Sequence, residues 1–433
     1  MTSINNLYDA ITGDEDARVC RDIPDAACSD QPRNFFVHIL ALVATKSGDL
    51  LASPKLVLPW LLASLGAPAY ITGMLVPVRE SLALLPQLAV AARMRAVAIR
   101  KWFWIGGSLV QGLCILAMAA LAFVGIDGAA GGWSVLGLLA IFSLGRGVCS
   151  VAAKDVMGKT VSKTRRGTVS GYAASIAGLV AIAMGAVLFF GAAPSGSGVI
   201  GLLVFAGVLW LLAACVFCAV QEQPGATSGG GNAASEAMRS LQLLRNDRDL
   251  RNFIITRTLL ISTALVAPFY VLLAQQHGDS KFGIGLLLLA SGIASAGSGG
   301  VWGRLADQSS RRVLAAGGIL GALVSVLTAS LHLLPFADSQ LPYAYAGVYL
   351  LLGVAHSGVR LGRKTYLVDL ANADNRSAYV ALSNTVIGVL LLAGGLIISL
   401  LSLIIATPSI VYVLAAGALA GGLYALRLPE VQA

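Results

Sequence analysis

The sequence predicts an all-α membrane protein with about twelve transmembrane helices, and two observations support that prediction. Of its 433 residues, 57% are hydrophobic and 12% are charged, which is too little charge to cover the surface of a soluble protein of this length. The apolar residues also come in runs of about 20. A helix of that length, rising about 1.5 Å per residue, crosses a hydrocarbon core of about 30 Å.

The apolar runs extend from residue 56 to residue 427. The predicted spans are 56–76, 78–94, 102–125, 133–153, 168–190, 197–219, 253–275, 283–303, 313–334, 343–362, 378–403 and 408–427. Because the last two runs are separated only by a Thr-Pro-Ser turn signal at 407–409, the count is eleven or twelve, and we expect twelve.

Basic residues alternate with the spans and set the orientation. The loops predicted on one side hold Arg93, Arg95, Arg100, Lys101, Lys154, Lys159, Lys163, Arg165, Arg166, Arg239, Arg245, Arg248, Arg251, Arg304, Arg311, Arg312, Arg363, Lys364 and Arg376. The other side holds Lys281, with Arg79 at a membrane boundary. The positive-inside rule therefore predicts a multi-pass protein of a cell membrane, the inner membrane of a bacterium, with both termini in the cytoplasm. The net charge of +9 is dispersed over these loops, so it is a topology signal and predicts no nucleic-acid partner.

The chain divides into four parts. Residues 1–54 are predicted as a cytoplasmic arm whose apolar segment, 35–45, is too short to span and forms an interfacial or a packed helix. Residues 55–220 form an N-terminal bundle of six helices, 221–251 a Gly/Ser-rich cytoplasmic linker, and 252–433 a C-terminal bundle of six helices.

The two halves share short patterns in the same order, which indicates an internal duplication. The matched pairs are Ala67–Tyr70 with Ala267–Tyr270, the basic pair and glycines at 100–107 with those at 311–318, Lys154 with Lys364, and Arg166 with Arg376.

The loop between the eighth and ninth spans carries a motif that resembles that of the major facilitator superfamily, G-x-L-x-D-x-x-G-R-R in outline. The matching residues are Gly303, Leu305, Asp307, Arg311 and Arg312. The resemblance implies two pseudo-symmetric six-helix bundles and secondary transport, with Gly303, Asp307, Arg311 and Arg312 as a latch that holds one end of the bundles together in one state. The alternative is a solvated loop of mixed charge. The first-half copy has Ala96 where the aspartate would be, and a glycine-proline motif that many antiporters of the family show in the fifth helix is missing.

Four cationic or potentially cationic side chains lie within the predicted spans, where an ionisable group costs about 2.5–3.5 kcal/mol even on the lenient scale. They are Arg146, its duplication partner His356, Arg360 one turn further on, and Arg257. Arg146 also resembles the fourth-helix arginine that the family ties to proton handling, and the family lines its central cavity with helices 1, 4, 7 and 10. These residues predict a positively lined cavity for an anionic substrate. In the alternative, Arg257 and Arg360 snorkel to the headgroups.

Five further residues are candidates for the site. Glu80, an acid within a predicted span and away from a cytoplasmic end, is predicted near the outer mouth as a proton-coupling group, or as a local partner of Arg79. Tyr70 and Tyr270 follow the matched prolines and are predicted to line the cavity or to pack against neighbours. Gln87 and Asn384 either contact substrate or join helices.

Together these features predict a secondary active transporter that moves a small organic anion by alternating access, with protons as the coupling ion. An exporter of amphipathic compounds, a lipid translocator and a non-transporting sensor on the same fold remain alternatives. The four histidines have no carboxylate partner at short spacing, so no enzymatic activity, metal or cofactor is expected. The expected partners are a small-molecule substrate and the lipid bilayer, and the chain is expected to act as a monomer.

Overall fold

The structure, a computed structural model, describes residues 8, 23, 25–191, 195–225, 227, 245–277, 283–337, 339–371 and 376–431, and all regular structure within them is helical. Helices are numbered by their order in the bundle, with letters for the segments of a broken helix. The first half contains α1a Gln31–Leu51, α1b Val57–Ser64, α2a Ala69–Leu84, α2b Gln87–Arg95, α3 Lys101–Val124, α4 Gly128–Thr160, α5 Lys163–Phe190 and α6 Ser195–Phe217. The second contains α7a Arg248–Leu260, α7b Ser262–Leu265, α7c Ala267–His277, α8 Gly283–Gln308, α9 Ser310–Ser330, α10 Leu341–Leu370, α11 Arg376–Leu401 and α12 Thr407–Ala425. Most of the predicted linker, residues 226 and 228–244, lies outside the described residues.

Ten of these helices in the described part of the chain are long and apolar enough to cross a membrane. The remaining two of the expected twelve, α1 and α10, are not among them. The first is interrupted at 52–56. The second carries Tyr343, Tyr345, Tyr349 and His356 among its apolar residues, which lowers its mean hydropathy. The prediction of an all-α membrane protein is confirmed.

The first two predicted spans are wrong in their bounds. Residues 56–76 do not form one helix, because α1b ends at Ser64 and α2a begins at Ala69. Between them Gly66 adopts the left-handed conformation, with φ +66°, and Pro68 offers no N–H to continue a helix. The chain reverses at this turn, so the predicted second span, 78–94, is the later part of α2.

Of the two alternatives for residues 35–45, the structure shows the packed helix and not the interfacial one: these residues belong to the 21-residue helix α1a, which packs between α5 and α6. Its polar side chains are buried with partners: His38 Nε2 lies 2.9 Å from Thr160 Oγ1, and Asn34 exchanges hydrogen bonds with the backbone of Gln221. These bonds offset the cost of burying polar groups. Residues 31–51 therefore belong to the first helix bundle and not to a separate arm.

The two halves make corresponding helix contacts between residues that lie 210 positions apart in the sequence. A Cβ on Gly107 would lie 2.8 Å from Gly145 O, and one on Gly317 would lie 3.0 Å from Ala355 O, so glycine lets α3 approach α4 as α9 approaches α10. The same shift relates Lys154 to Lys364. The predicted match of Ala67–Tyr70 with Ala267–Tyr270 fails, because the first joins the turn to the start of α2a and the second forms the first turn of α7c.

The halves meet along two seams, α2 against α11 and α5 against α8. We call the end of the bundle that holds the loops at 96–100, 161–162 and 309 the basic end, after its arginines and lysines. At the opposite end α7c packs against α1b and α2a. A cavity lies between the two seams.

Candidate functional site

A cavity of about 270 Å³ lies at the centre of the bundle. The first half lines it with Asp49, Leu50, Ser53, Pro54, Lys55, Arg79, Glu80 and Arg146. The second half lines it with Thr263, Ala267, Ser291, Ala294, Ser295, Tyr349, Leu352, Gly353, His356, Ser357 and Arg360. The α10 members recur at helical spacing, so one face of this helix forms a wall of the cavity.

The break in α1 supplies one wall of the cavity. Pro54 has no N–H and disfavours helical backbone at the residue before it, so α1a ends at Leu51 and α1b starts at Val57. Lys55 N donates to Ser53 Oγ at 3.3 Å, and Tyr349 from the other half donates its hydroxyl to Lys55 O at 3.2 Å. The interruption thus places Lys55 in the cavity wall, and the Tyr349 hydroxyl satisfies the Lys55 carbonyl that the break leaves without a helical partner.

Asp49 holds two arginines from different helices. Its Oδ1 accepts a hydrogen bond from Arg79 Nη2 at 2.8 Å, and its Oδ2 is ion-paired with Arg146. The Arg79 guanidinium also lies over the Phe142 ring, 4.8 Å from its centroid. One carboxylate thus neutralises one of two cations and fixes α1a, α2a and α4 to each other. We call Asp49, Arg79 and Arg146 the charge triad.

Lys55 reaches across the cavity to the second half. Its Nζ lies 2.8 Å from His356 Nε2, and Thr263 Oγ1 lies 3.1 Å from His356 Nδ1. Thr263 Oγ1 also donates to Leu260 O at 2.8 Å, so Nδ1 carries the proton that bonds to Thr263, and Nε2 accepts from the ammonium. His356 is therefore neutral in this contact.

Glu80 and Arg360 line the cavity, and neither makes a hydrogen bond or ion pair within the described part of the chain. Glu80 lies near the middle of α2 as a whole instead of at an outer mouth, and it forms no ion pair with Arg79, whose partner is Asp49. With His356 neutral, four cationic side chains and two acids face the cavity. The wall carries a net charge of two positive units.

The structure assigns other predicted site residues to packing. Arg257 Nη1 donates to Ser383 Oγ at 2.7 Å and Nη2 to Asn384 Oδ1 at 3.2 Å, which joins α7a to α11. Arg257 is buried and is not among the lining residues, so it does not snorkel to the headgroups. Hydroxyl and amide partners such as these are not visible from the sequence.

Three more predicted residues lie away from the cavity lining. Tyr270 is buried and donates to Ser325 Oγ at 3.0 Å. The Tyr70 ring lies 6.2 Å from that of Trp133, and Gln87 Nε2 donates to Ala83 O on its own helix at 2.8 Å.

In the predicted latch, Arg311 is held by residues outside the loop motif. Arg311 Nε lies 2.9 Å from Glu430 Oε2, and Arg311 Nη1 donates to Leu428 O at 3.0 Å. Asp307 is exposed and makes no hydrogen bond or ion pair within the described residues. Arg312 is exposed too, and its backbone N donates to Ser309 Oγ, the cap of α9.

The first half repeats this arrangement. Lys101 Nζ donates to Val220 O at 2.8 Å, and the Glu222 carboxylate accepts from the backbone N of Lys101 at 2.7 Å and pairs with Lys159 at 2.9 Å. In both halves a glutamate just after the last helix holds the start of the third helix of that half. Neither glutamate was predicted, because each lies in a tail outside the spans.

The halves join at the end away from the basic loops. Within the described residues, Gln275 Nε2 donates to Trp60 O at 3.4 Å and Ser399 Oγ to Tyr70 O at 2.6 Å. Along the other seam Gly292 packs on Ile182. Arg360, the lining residue of α10 nearest the basic end, is exposed, so the cavity opens toward that end.

Comparison with known proteins gives one family and one fold. The family model of the Major Facilitator Superfamily matches residues 253–433. No curated protein sequence matches the chain.

Crystal structures of several transporters match nearly the whole chain. A POT family transporter in complex with 5-aminolevulinic acid has a TM-score of 0.70 at 11% identity, over 95% of this chain and 99% of that chain. A D-xylose-proton symporter has a TM-score of 0.67 at 13% identity, over 91% of this chain and 98% of that chain. The nucleoside transporter NupG has a TM-score of 0.65 at 11% identity, over 91% and 99%. At these identities the likeness shows the fold.

Proposed function

We propose that the chain is a secondary active transporter of the major facilitator superfamily, whose family model matches residues 253–433, and that it moves a small organic anion coupled to protons. The observation that carries this proposal is the charge of the cavity. Four cationic side chains face two acids, and a buried excess of positive charge is stabilised by an anionic ligand.

The size of the cavity favours a small solute over the amphipathic alternative. Ligand pockets for drug-sized molecules have volumes of about 300–1,000 Å³ and are mostly apolar. This cavity is smaller, about 270 Å³, and its walls are rich in charged and hydroxyl side chains. An amphipathic compound or a lipid would have to place its apolar part against these charged side chains, which is costly.

Glu80 supports proton coupling. It is an acid on the cavity wall that interacts electrostatically with Lys55, Arg79 and Arg363 but makes no hydrogen bond or ion pair among the described residues, so a proton can bind it without breaking such a contact. Protonation removes one negative charge and makes the cavity more positive, which favours anion binding. A proton and an anion would then bind cooperatively, and each would tighten the binding of the other.

Alternating access would close the basic end around the loaded cavity and separate the contacts at the opposite end. We propose that the protein acts as a monomer in the inner membrane of a bacterium with both termini in the cytoplasm, so that the cavity faces the cytoplasm here. Reporter tags should then place position 230 inside and positions 128 and 195 outside. A tag at position 230 found outside would reverse the orientation.

Uptake of an anion panel into proteoliposomes, with and without a pH gradient, tests the proposed function. We expect accumulation of an organic anion driven by the gradient, and no accumulation of neutral sugars or nucleosides. Glu80→Gln should still exchange the anion across an equilibrated membrane but lose gradient-driven accumulation. Asp249→Asn, which neutralises an exposed acid at the start of α7a, is the matched control and should accumulate normally. Accumulation of neutral solutes alone would sink the proposal.

A further inference from the structure

Three helices carry cations from the cavity toward the basic end. On α10, His356 and Arg360 line the cavity, and Arg363 and Lys364 follow seven and eight residues after His356 on the same helical face. On α4, Lys154 lies eight residues beyond Arg146, about 12 Å along the axis. The positive wall of the cavity therefore continues to its opening.

On α1a, Lys46 lies three residues before Asp49, on the side toward the basic end. We call Lys46, Lys154, Arg360, Arg363 and Lys364 the basic vestibule. Lys154, Arg360 and Lys364 are exposed, and the other two are half-buried.

These five cations are close enough to interact. Lys364 interacts electrostatically with each of the other four. None of the five makes a hydrogen bond or an ion pair within the described part of the chain. Acids that face these cations already have other partners or lie in the cavity. Lys46 interacts with Asp49, which already holds two arginines, and Arg363 interacts with Glu80 in the cavity. Asp155, next to Lys154, is paired with Arg100 and Lys159.

The two halves share the vestibule. Lys46 and Lys154 come from the first half and the other three from the second, with Lys154 and Lys364 related by the duplication shift of 210. Closing the basic end brings these like charges together, and such repulsion opposes closure unless an anion lies between them.

We propose that the basic vestibule is the entry site for a multiply charged anion, a polycarboxylate or a phosphate-bearing solute with at least two negative charges. This inference rests on the proposed function and narrows its substrate class. A monoanion would satisfy one ammonium or guanidinium, whereas several oxygens on one solute bridge cations from both halves. The planar forks of Arg360 and Arg363 fit carboxylate and phosphate oxygens in pairs.

A free solute fits this position better than a lipid headgroup. The vestibule lies on α1a, α4 and α10, the helices that also line the central cavity, and its cations form one path with the cavity wall. A phospholipid would have to leave its acyl chains among charged side chains, which is costly.

Thermal unfolding of the purified protein with added salts tests the inference. At equal ionic strength, citrate and inorganic phosphate should raise the unfolding midpoint in a saturable way, and acetate and chloride should raise it far less. The double variant Lys154→Gln, Lys364→Gln should bind citrate roughly tenfold more weakly, because two charge contacts at a partly exposed site are lost. Without ligand, this variant should unfold at a higher temperature than the unmodified protein, since repulsion is relieved.

The control variant is Arg248→Gln, which removes an exposed cation at the start of α7a and should bind citrate normally. Equal effects of acetate and citrate, or a double variant with unchanged citrate affinity, would overturn the vestibule while leaving transport of a monovalent anion intact. Absence of any anion effect, together with failed anion uptake in proteoliposomes, would instead remove the proposed function. Displacement of citrate by phosphatidylglycerol in the micelles would identify the occupant as a headgroup and also overturn the inference.

Discussion

Replacing Asp49 by asparagine should destabilise the protein strongly, because it leaves two arginines without their shared counterion. The Arg79–Asp49 pair has a distance of 2.8 Å, and the side chains are 10% and 20% exposed. Removing one partner of a buried ion pair costs about 3–5 kcal/mol. The Arg146 side chain is 35% exposed, so solvent screens part of its loss. Asparagine keeps one acceptor oxygen, which places the expected cost at the low end, about 3 kcal/mol.

The unfolding midpoint of the purified protein measures this cost. At about 2 °C per kcal/mol, the value for larger domains, Asp49→Asn should lower the midpoint by about 6 °C. Adding Arg146→Gln should recover part of the loss, because it removes one of the two uncompensated cations, and the deviation from additivity reports the coupling. Asp127→Asn, at an exposed acid without a side-chain bond at the start of α4, is the matched control. An Asp49→Asn midpoint equal to that of the control would refute the charge triad.

Three further predictions concern single side chains. Arg146→Gln should weaken anion binding by about 2–5 kcal/mol, and Arg146→Lys should restore it only in part, because lysine lacks the planar fork; full recovery with lysine in a binding titration would contradict this. Glu430→Gln should lower both the unfolding midpoint and the transport rate, whereas Asp307→Asn, unpaired here, should slow transport without lowering the midpoint; normal transport by both would show that the loop is a connector. Burial raises the pKa of Asp247, but hydrogen bonds from the backbone of Leu250 and Asp249 and from Tyr379 outweigh it and hold that pKa below its usual value. Asp247→Asn should therefore destabilise the protein at neutral pH, and the difference in stability should disappear as pH falls through the lowered pKa. Unfolding midpoints measured across pH would check this.

Part of the site could be predicted from the sequence, because placing a charge within a membrane is energetically costly. Arg146, His356, Arg360 and Glu80 were selected because each is ionisable within an apolar span, and the structure brings all four to one cavity. The same reasoning selected Arg257, whose charge is instead held by hydroxyl and amide groups of α11. The energetic argument identifies ionisable residues within the spans, but only the fold shows whether each one lines the cavity or joins two helices.

The residues that sequence reasoning missed lie where the helix pattern fails. Asp49 lies just before the break in α1 and Lys55 lies within it, where the polar stretch after Thr45 and Pro54 interrupt the apolar run. Hydropathy treats such a stretch as a loop. A broken helix is nevertheless tolerated at this depth when its free backbone lines a cavity. The signal that could have found Asp49 was an acid four residues past an apolar run that is itself too short to span.

The duplication explains the scaffold, and its departures from symmetry explain the chemistry. Gly107 and Gly317 repeat the same close helix contact, and the tail glutamates Glu222 and Glu430 repeat the same anchor. At the cavity the symmetry ends: Arg146 is held by an acid, whereas its partner position carries the neutral His356. The first half thus holds a fixed, partly neutralised charge, and the second half supplies Arg360 without a counterion among the described residues. We expect an anion that enters between the halves to pair with Arg360 of the second half and with the Lys55 ammonium of the first. Its binding would then link two halves that share a scaffold but differ in their pattern of charge.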